Sequence, residues 1–68
     1  MVILSIAMKQ DEAIKIVESI NENVRFIKKL GMSLFFETPN DDLYLGIIKK
    51  TLKASPGFSA LYFNCSTQ

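Results

Sequence analysis

The chain has 68 residues, of which 49% are hydrophobic and 22% are charged, and its 8 basic and 7 acidic side chains leave a formal net charge of +1. This composition excludes an intrinsically disordered chain, and the near-neutral charge excludes strong overall attraction to nucleic acid or to an anionic membrane. There is no histidine, and Cys65 is the single cysteine, so an internal disulfide and an ordinary zinc site are both excluded. We expect one domain over residues 1–68, with no metal and no cofactor.

The short chain also predicts how the domain becomes stable and where it works. A domain of this size buries only about 60% of the surface that its unfolded chain exposes, so we expect a second copy to add stability in a homodimer. No apolar run approaches the roughly 18 residues of a membrane helix, and residues 1–8 lack the basic start of a secretion signal. A lone thiol suits a reducing compartment, and we therefore expect a cytoplasmic protein with no membrane partner.

The first predicted element is a strand from Val2 to Met8, which is almost continuously apolar. Alternate side chains of a strand point to opposite faces of a sheet. We expect the bulky set to face the core, namely Val2, Leu4, Ile6 and Met8. The smaller residues between them would face the other way, namely Ile3, Ser5 and Ala7.

The next segment predicts a helix that is capped by Asp11 and continues to about residue 20. Apolar side chains recur there at the i, i+3, i+4, i+7 spacing of a helical stripe. They are Ala13, Ile16, Val17 and Ile20. Asn21 and Asn23 favour a turn, and they predict the end of the helix.

Residues 24–30 allow two interpretations. Val24 and Ile27 continue the helical spacing, which would carry the first helix on to Gly31. Alternatively, residues 24–28 form a strand that pairs, through a turn near Gly31, with a third strand over residues 32–37. We favour the strand because the Asn-Glu-Asn sequence interrupts the helix and because β-branched and aromatic residues follow it.

A second helix is predicted from about Asp41 to Ala54, after a turn that contains Pro39. Its apolar stripe consists of Tyr44, Leu45, Ile48 and Leu52, and the sequence Ser55-Pro56-Gly57 ends it. Residues 58–63 are predicted to form the last strand, and residues 64–68 a polar tail.

The predicted order of elements is strand, helix, strand, strand, helix, strand. Two helices on one face of a four-stranded antiparallel sheet make an α+β fold of the ferredoxin-like, split βαβ type. If the first helix is long instead, the order becomes βαβαβ with three strands, and this is the alternative.

The face of this predicted sheet that lacks helices is the candidate site. The third and fourth strands are expected to flank the first, with Met32 facing inward and Phe58 facing outward. Phe35 and Tyr62 would then flank Ser5 and Ala7 on the face without helices. Two aromatic rings around small residues suit a protein partner or a flat ligand. We interpret this face as a surface for self-association.

Arg25, Lys28 and Lys29 form a candidate basic patch on a strand that would lie at the edge of the sheet, where charges also discourage aggregation. Together with Phe35 they suggest an alternative function, a small single-stranded nucleic-acid-binding domain. The third-strand motif of RNA-recognition domains is poorly matched, because Phe35 and Phe36 are adjacent and the first strand has no aromatic residue. We therefore expect nucleic acid to be a secondary candidate partner.

Catalytic chemistry has no candidate residues in this sequence. Cys65 has no histidine that would activate it, and its place near a strand end suits a small hydrophobic residue. We expect a non-enzymatic interaction or regulatory module that self-associates.

Overall fold

The computed structural model describes residues 1–67. In chain order its elements are β1 (Val2–Ile6), α1 (Gln10–Glu18), β2 (Arg25–Leu30), β3 (Ser33–Glu37), α2 (Asp41–Ala54) and β4 (Phe63–Thr67). The four strands form one antiparallel sheet in the spatial order β2-β3-β1-β4. The α+β class and the four-stranded antiparallel sheet with two helices are therefore confirmed. Residues 25–30 form a strand, so the alternative with a long first helix is wrong.

β1 lies between β3 and β4 and supplies the centre of the core. Its alternate residues Val2, Leu4 and Ile6 are at most 2% exposed. The other elements add Leu34 and Phe36 from β3, Cys65 from β4, Ala13 and Val17 from α1, and Ile48 and Leu52 from α2. Both helices pack against this one face of the sheet, and within residues 1–67 the opposite face carries no helix.

The start of α2 is held by the side chains around it. Asn40 caps the helix, because its side-chain oxygen accepts a hydrogen bond from the backbone N–H of Leu43 at 3.2 Å. The carboxylate of Asp41 accepts hydrogen bonds from the terminal ammonium of Met1 and from the hydroxyl of Thr38. These two contacts, the ammonium contact first, lower the pKa of Asp41. The bounds of α2 are those that the sequence pattern predicted, since caps and breakers act locally.

α1 begins at Gln10, and the expected cap by Asp11 is wrong. Lys9 occupies the cap position with φ 57°, and its side chain makes no capping hydrogen bond. Gln10 anchors the helix instead, because its Nε2 donates to the backbone carbonyls of Ile6 at 2.9 Å and Gly31 at 3.1 Å. Asp11 lies inside the first turn, where its charge favours the helix N-terminus without capping it.

β1 and β3 are both shorter than predicted. β1 ends at Ile6, and β3 begins at Ser33. Met8 and Met32, which the alternation assigned to the core, are 62% and 59% exposed. The assignment was wrong because each methionine lies outside its strand, Met8 in the bend after β1 and Met32 in the turn before β3. Gly31 makes the turn before β3 possible, since its φ of 59° is readily adopted by glycine.

The last strand begins at Phe63, the final residue of the predicted strand, rather than at Phe58, and it continues to Thr67 through the segment expected to be a polar tail. The residues before it form successive turns, in which the Phe58 N–H donates to Ser55 and the Leu61 N–H donates to Phe58, both at 3.1 Å. Phe58 was expected on the outer face but is only 1% exposed, within the core. The pattern failed because pairing along β1, rather than apolar content, selects which residues become β4.

Replacing Phe58 by alanine tests the packing of this turn segment. Loss of a buried phenylalanine is expected to lower the free energy of unfolding by about 3–5 kcal/mol, measured by urea denaturation followed by circular dichroism. The matched control is Leu43→Ala, because Leu43 is 58% exposed on α2, and its effect is expected to stay within about 0.5 kcal/mol. An equally small effect of Phe58→Ala would contradict the packing described for residues 55–62.

Candidate functional site

The sheet face opposite the helices is called the open face. The strand register places a continuous set of side chains on it, because residues opposite each other in neighbouring strands share a face. The set comprises Ile3, Ser5, Arg25, Lys28, Leu30, Ser33, Phe35, Glu37, Asn64 and Ser66. Within residues 1–67 no helix or strand packs over this face. The open face is therefore a solvent-facing surface of mixed apolar, polar and charged character.

Phe35 lies near the centre of the open face, between Ile3 of β1 and Lys28 of β2. An irregularity between Phe26 and Lys28 shifts the register of β2, and this shift sets Lys28 opposite Phe35. The Nζ atom of Lys28 lies 5.0 Å from the centroid of the Phe35 ring. A cation at this distance interacts favourably with the ring face, so Lys28 both anchors Phe35 and covers part of it.

A shallow groove lies at the end of the open face, around the last two residues of β1 and the residue that follows them. Its volume is about 240 Å³, and it is lined by Ser5, Ile6, Ala7, Met32, Tyr62 and Asn64. Tyr62 is 90% exposed, and Met32 is 59% exposed. The structure thus brings together three of the residues proposed from the sequence, namely Ser5, Ala7 and Tyr62. The groove joins apolar side chains to the hydrogen-bonding groups of Ser5 and Asn64.

Phe35 is not part of this groove. It lies opposite Ile3. Tyr62 instead lines the groove with Ala7, which is four residues further along the chain than Ile3. At about 3.3 Å per residue of extended chain, four residues separate the two positions by at most roughly 13 Å. Phe35 therefore lies near the centre of the open face and Tyr62 at its end, and the two do not form a single small site.

The three basic residues of β2 do not form one patch. Arg25 lies opposite Glu37 on the open face, where the two charges offset each other. Lys28 lies over Phe35. Lys29 lies opposite Leu34, so it belongs to the other face, and it lines a separate groove of about 330 Å³ beside the start of α1. The alternation of the strand thus places Lys29 on the face opposite to Arg25 and Lys28.

Several residues of this surface were not predicted from the sequence. Ile3 was expected to face away from the core but was not assigned to the site, and Leu30 was not considered. Leu30 and Met32 are each 59% exposed on either side of Gly31. Gly31 is the sequence feature that could have indicated these two residues, because it marks the hairpin turn between β2 and β3 that they flank.

Cys65 lies on the helix-covered face of β4 and is 7% exposed. Burial raises the pKa of its thiol to about 11, and the nearby ammonium of Lys49 offsets this only in part. The thiol is therefore neutral at physiological pH, which disfavours nucleophilic or metal-binding chemistry at this position. Within residues 1–67 no three His, Cys, Asp or Glu side chains lie close enough together to hold a metal ion.

Comparison with known proteins adds no relative, since no family model, curated protein or solved structure matches the chain significantly. Among the described residues 1–67, neither helix has the length and apolar character that crossing a membrane requires. The open face must therefore be interpreted from its own geometry.

The reactivity of Cys65 tests its environment. Burial raises the pKa of the thiol to about 11 from 9.0, so the thiolate fraction at pH 8 is about 100-fold lower in the native protein than in the unfolded protein. Because the thiolate is the reacting form, native protein is expected to react with a disulfide reagent at least about 100-fold more slowly than urea-unfolded protein. Equal rates would contradict the buried position of Cys65.

The same pKa shift predicts how stability depends on alkaline pH. Above pH 9 the unfolded thiol loses its proton while the native thiol keeps it until about pH 11, so stability is expected to fall as pH rises through this interval. The control is Cys65→Ala, which lacks the thiol and is otherwise unchanged. Unfolding curves of the two proteins between pH 8 and pH 11 should diverge, and parallel curves would contradict the shift.

Proposed function

We propose that this chain is a ferredoxin-like, split βαβ interaction module without enzymatic activity, and that it associates with a second copy of itself through the open face. The exposed apolar side chains on and beside that face carry the proposal. Leu30 and Met32 are each 59% exposed, and Tyr62 is 90% exposed. Large apolar side chains grouped on one surface are typical of protein–protein interfaces.

The charges of the open face support a second copy as the partner. Arg25 and Lys28 are basic, and Glu37 is acidic, so two such faces can meet with opposite charges in contact. The whole chain carries a net charge of +1, and two copies therefore repel each other only weakly. A strongly charged partner would find little complementary potential here.

The absence of an enzymatic role is part of the same proposal. The buried thiol of Cys65, with its raised pKa, is unsuited to nucleophilic attack. The groove beside Tyr62 is shallow, and Ser5 and Asn64 supply its hydrogen-bonding groups. We keep a reducing, cytoplasmic location in the proposal because a thiol of this kind persists there.

Single-stranded nucleic acid is the second candidate ligand, and the contact between Lys28 and Phe35 favours it. An aromatic ring with a neighbouring cation is the combination on which bases stack beside the phosphate backbone. The same contact also counts against stacking, because the ammonium of Lys28 occupies the ring face that a base needs. Arg25 lies opposite Glu37 in the strand register, so the acidic side chain offsets the second positive charge of this face, and self-association is preferred.

The double variant Phe35→Ser/Tyr62→Ser tests the proposed association. Sedimentation equilibrium over a range of concentrations is expected to show a self-associating wild type and a variant whose association is at least about 10-fold weaker, because both aromatic side chains of this surface are removed. The control is Leu43→Ser, a comparably exposed residue on α2, which should associate like the wild type. Unchanged association of the double variant would refute the role of the open face.

Binding of labelled single-stranded RNA and DNA, followed by fluorescence anisotropy, tests the second candidate. If nucleic acid is the ligand, affinity should fall steeply between 50 and 200 mM salt, and Phe35→Ser should weaken it more than Lys29→Gln, since Lys29 lies on the other face. No binding at low salt eliminates this candidate.

A further inference from the structure

The two edges of the sheet differ in how they resist pairing with another strand. β2, at one edge, carries Arg25, Lys28 and Lys29 and an irregularity near Ile27, and both charges and bulges discourage edge-to-edge pairing. β4, at the other edge, has the sequence Phe-Asn-Cys-Ser-Thr. It contains no charge and no proline, and it pairs with β1 over five consecutive positions without a bulge. The β4 edge therefore lacks the features that protect β2.

The backbone groups available at the β4 edge follow from the hydrogen-bond pattern of β1. The N–H of Ile6 donates to Met32 at 2.9 Å, so Ile6, and by alternation Leu4, direct their backbone groups toward β3. Ile3 and Ser5 then direct theirs toward β4, where their partners are Ser66 and Asn64. The remaining residues of β4 direct their N–H and C=O groups away from the sheet, namely Phe63, Cys65 and Thr67.

We propose that β4 pairs with β4 of a second copy, antiparallel and around a two-fold axis at Cys65. Each Cys65 then lies opposite its equivalent, and each Phe63 lies opposite Thr67 of the second copy. All three outward-directed residues of each strand find partners in this register. The two sheets join into one antiparallel sheet of eight strands, in which β2 and its charges form both outer edges.

The charges of α2 indicate why the partner is a second copy rather than an unrelated strand. Lys49 lies close enough to Cys65 to influence its pKa, so the flank of α2 that bears Lys49 lies over β4. Asp42 and Lys53 are seven residues before and four residues after Lys49, so they share this flank. A two-fold axis at Cys65 makes the two α2 helices antiparallel neighbours. Asp42 of each copy then approaches Lys53 of the other.

Lys49 of the two copies would meet near the axis. Its long aliphatic stem allows the ammonium group to extend into water, so this like-charge pair costs little. The attraction within the two Asp42–Lys53 pairs, at the ends of the helices, offsets the repulsion between the two Lys49 side chains and selects the antiparallel orientation. A parallel arrangement would align Lys53 with Lys53 and Asp42 with Asp42.

Edge pairing also enlarges the open face. Four strands of about five residues span roughly 16 by 19 Å, or on the order of 300 Å², whereas a stable interface usually buries about 800 Å² per partner. Joining two sheets at β4 doubles this continuous surface and leaves both open faces on the same side. The edge is thus a separate association surface, and it does not depend on whether the open face itself self-associates.

Amide hydrogen exchange in the full chain measures edge pairing directly. If β4 is paired, the outward amides of Cys65 and Thr67 should exchange at least about 100-fold more slowly at high protein concentration than at low concentration. The amides of Asn64 and Ser66 are the internal control, because they donate to β1 and should be protected at both concentrations. Exchange of Cys65 that is fast at every concentration would overturn the proposal.

Thr67→Pro and Thr67→Val provide a matched pair of variants. Proline at this position removes an outward N–H while leaving the ladder with β1 intact, so it is expected to abolish the protection of the Cys65 amide. Valine keeps the N–H, and the protection should remain. Persistent protection in a folded Thr67→Pro variant would overturn the proposal. If that variant fails to fold, the concentration dependence of wild-type exchange decides the question alone.

Pairing through the β4 edge and association through the open face can be refuted separately. Phe35→Ser/Tyr62→Ser should leave the concentration-dependent protection of Cys65 unchanged, because neither residue belongs to the β4 edge. Loss of this protection in the double variant would contradict edge pairing as a separate surface. Unprotected Cys65 together with association that depends on Phe35 and Tyr62 would overturn edge pairing and retain the proposed function.

Discussion

The rest of the fold depends on β1, because this strand forms hydrogen bonds on both sides and fills the core with every second side chain. Val2, Leu4 and Ile6 point toward the helices, and apolar side chains from both helices and from the neighbouring strands pack against them. β3 and β4 bond to the two sides of β1. The turn segment that contains Phe58 also contributes to this core, since a domain of this size has few residues with which to build one.

The central position of β1 leaves two kinds of surface uncovered. The first is the open face, where Ile3 and Phe35 are neighbours and Lys28 lies over the aromatic ring. The second is the outer side of β4, whose backbone groups point away from the sheet. The surfaces differ in chemistry, because the face offers side chains and the edge offers backbone hydrogen bonds. Association through one therefore does not require the other, and a small domain with both has two means of adding buried area.

Three polar groups, on Cys65, Arg25 and Asp41, have positions that the fold itself explains. Burial keeps Cys65 protonated, Arg25 lies opposite Glu37, and Asp41 accepts hydrogen bonds at the start of α2. Each of these groups has a structural environment that accounts for it. No structural environment within residues 1–67 accounts in this way for the exposed apolar side chains. The proposed function therefore rests on Tyr62 and its neighbours.

The sequence by itself determined the features that arise from neighbouring residues: the bounds of α2 and the alternation that places Leu34 inside and Phe35 outside. It favoured a strand over residues 24–28, which the structure has as β2 at residues 25–30, but it left a longer first helix open. It also indicated Ser5, Ala7 and Tyr62 as neighbours. Only the tertiary structure decided that residues 63–67 pair with β1, that Phe58 is buried and that Met8 and Met32 are exposed. Local patterns specify which side chains alternate, but they do not specify where a strand stops. That limit is set by how many residues its partners can pair, and the partners are distant in the chain.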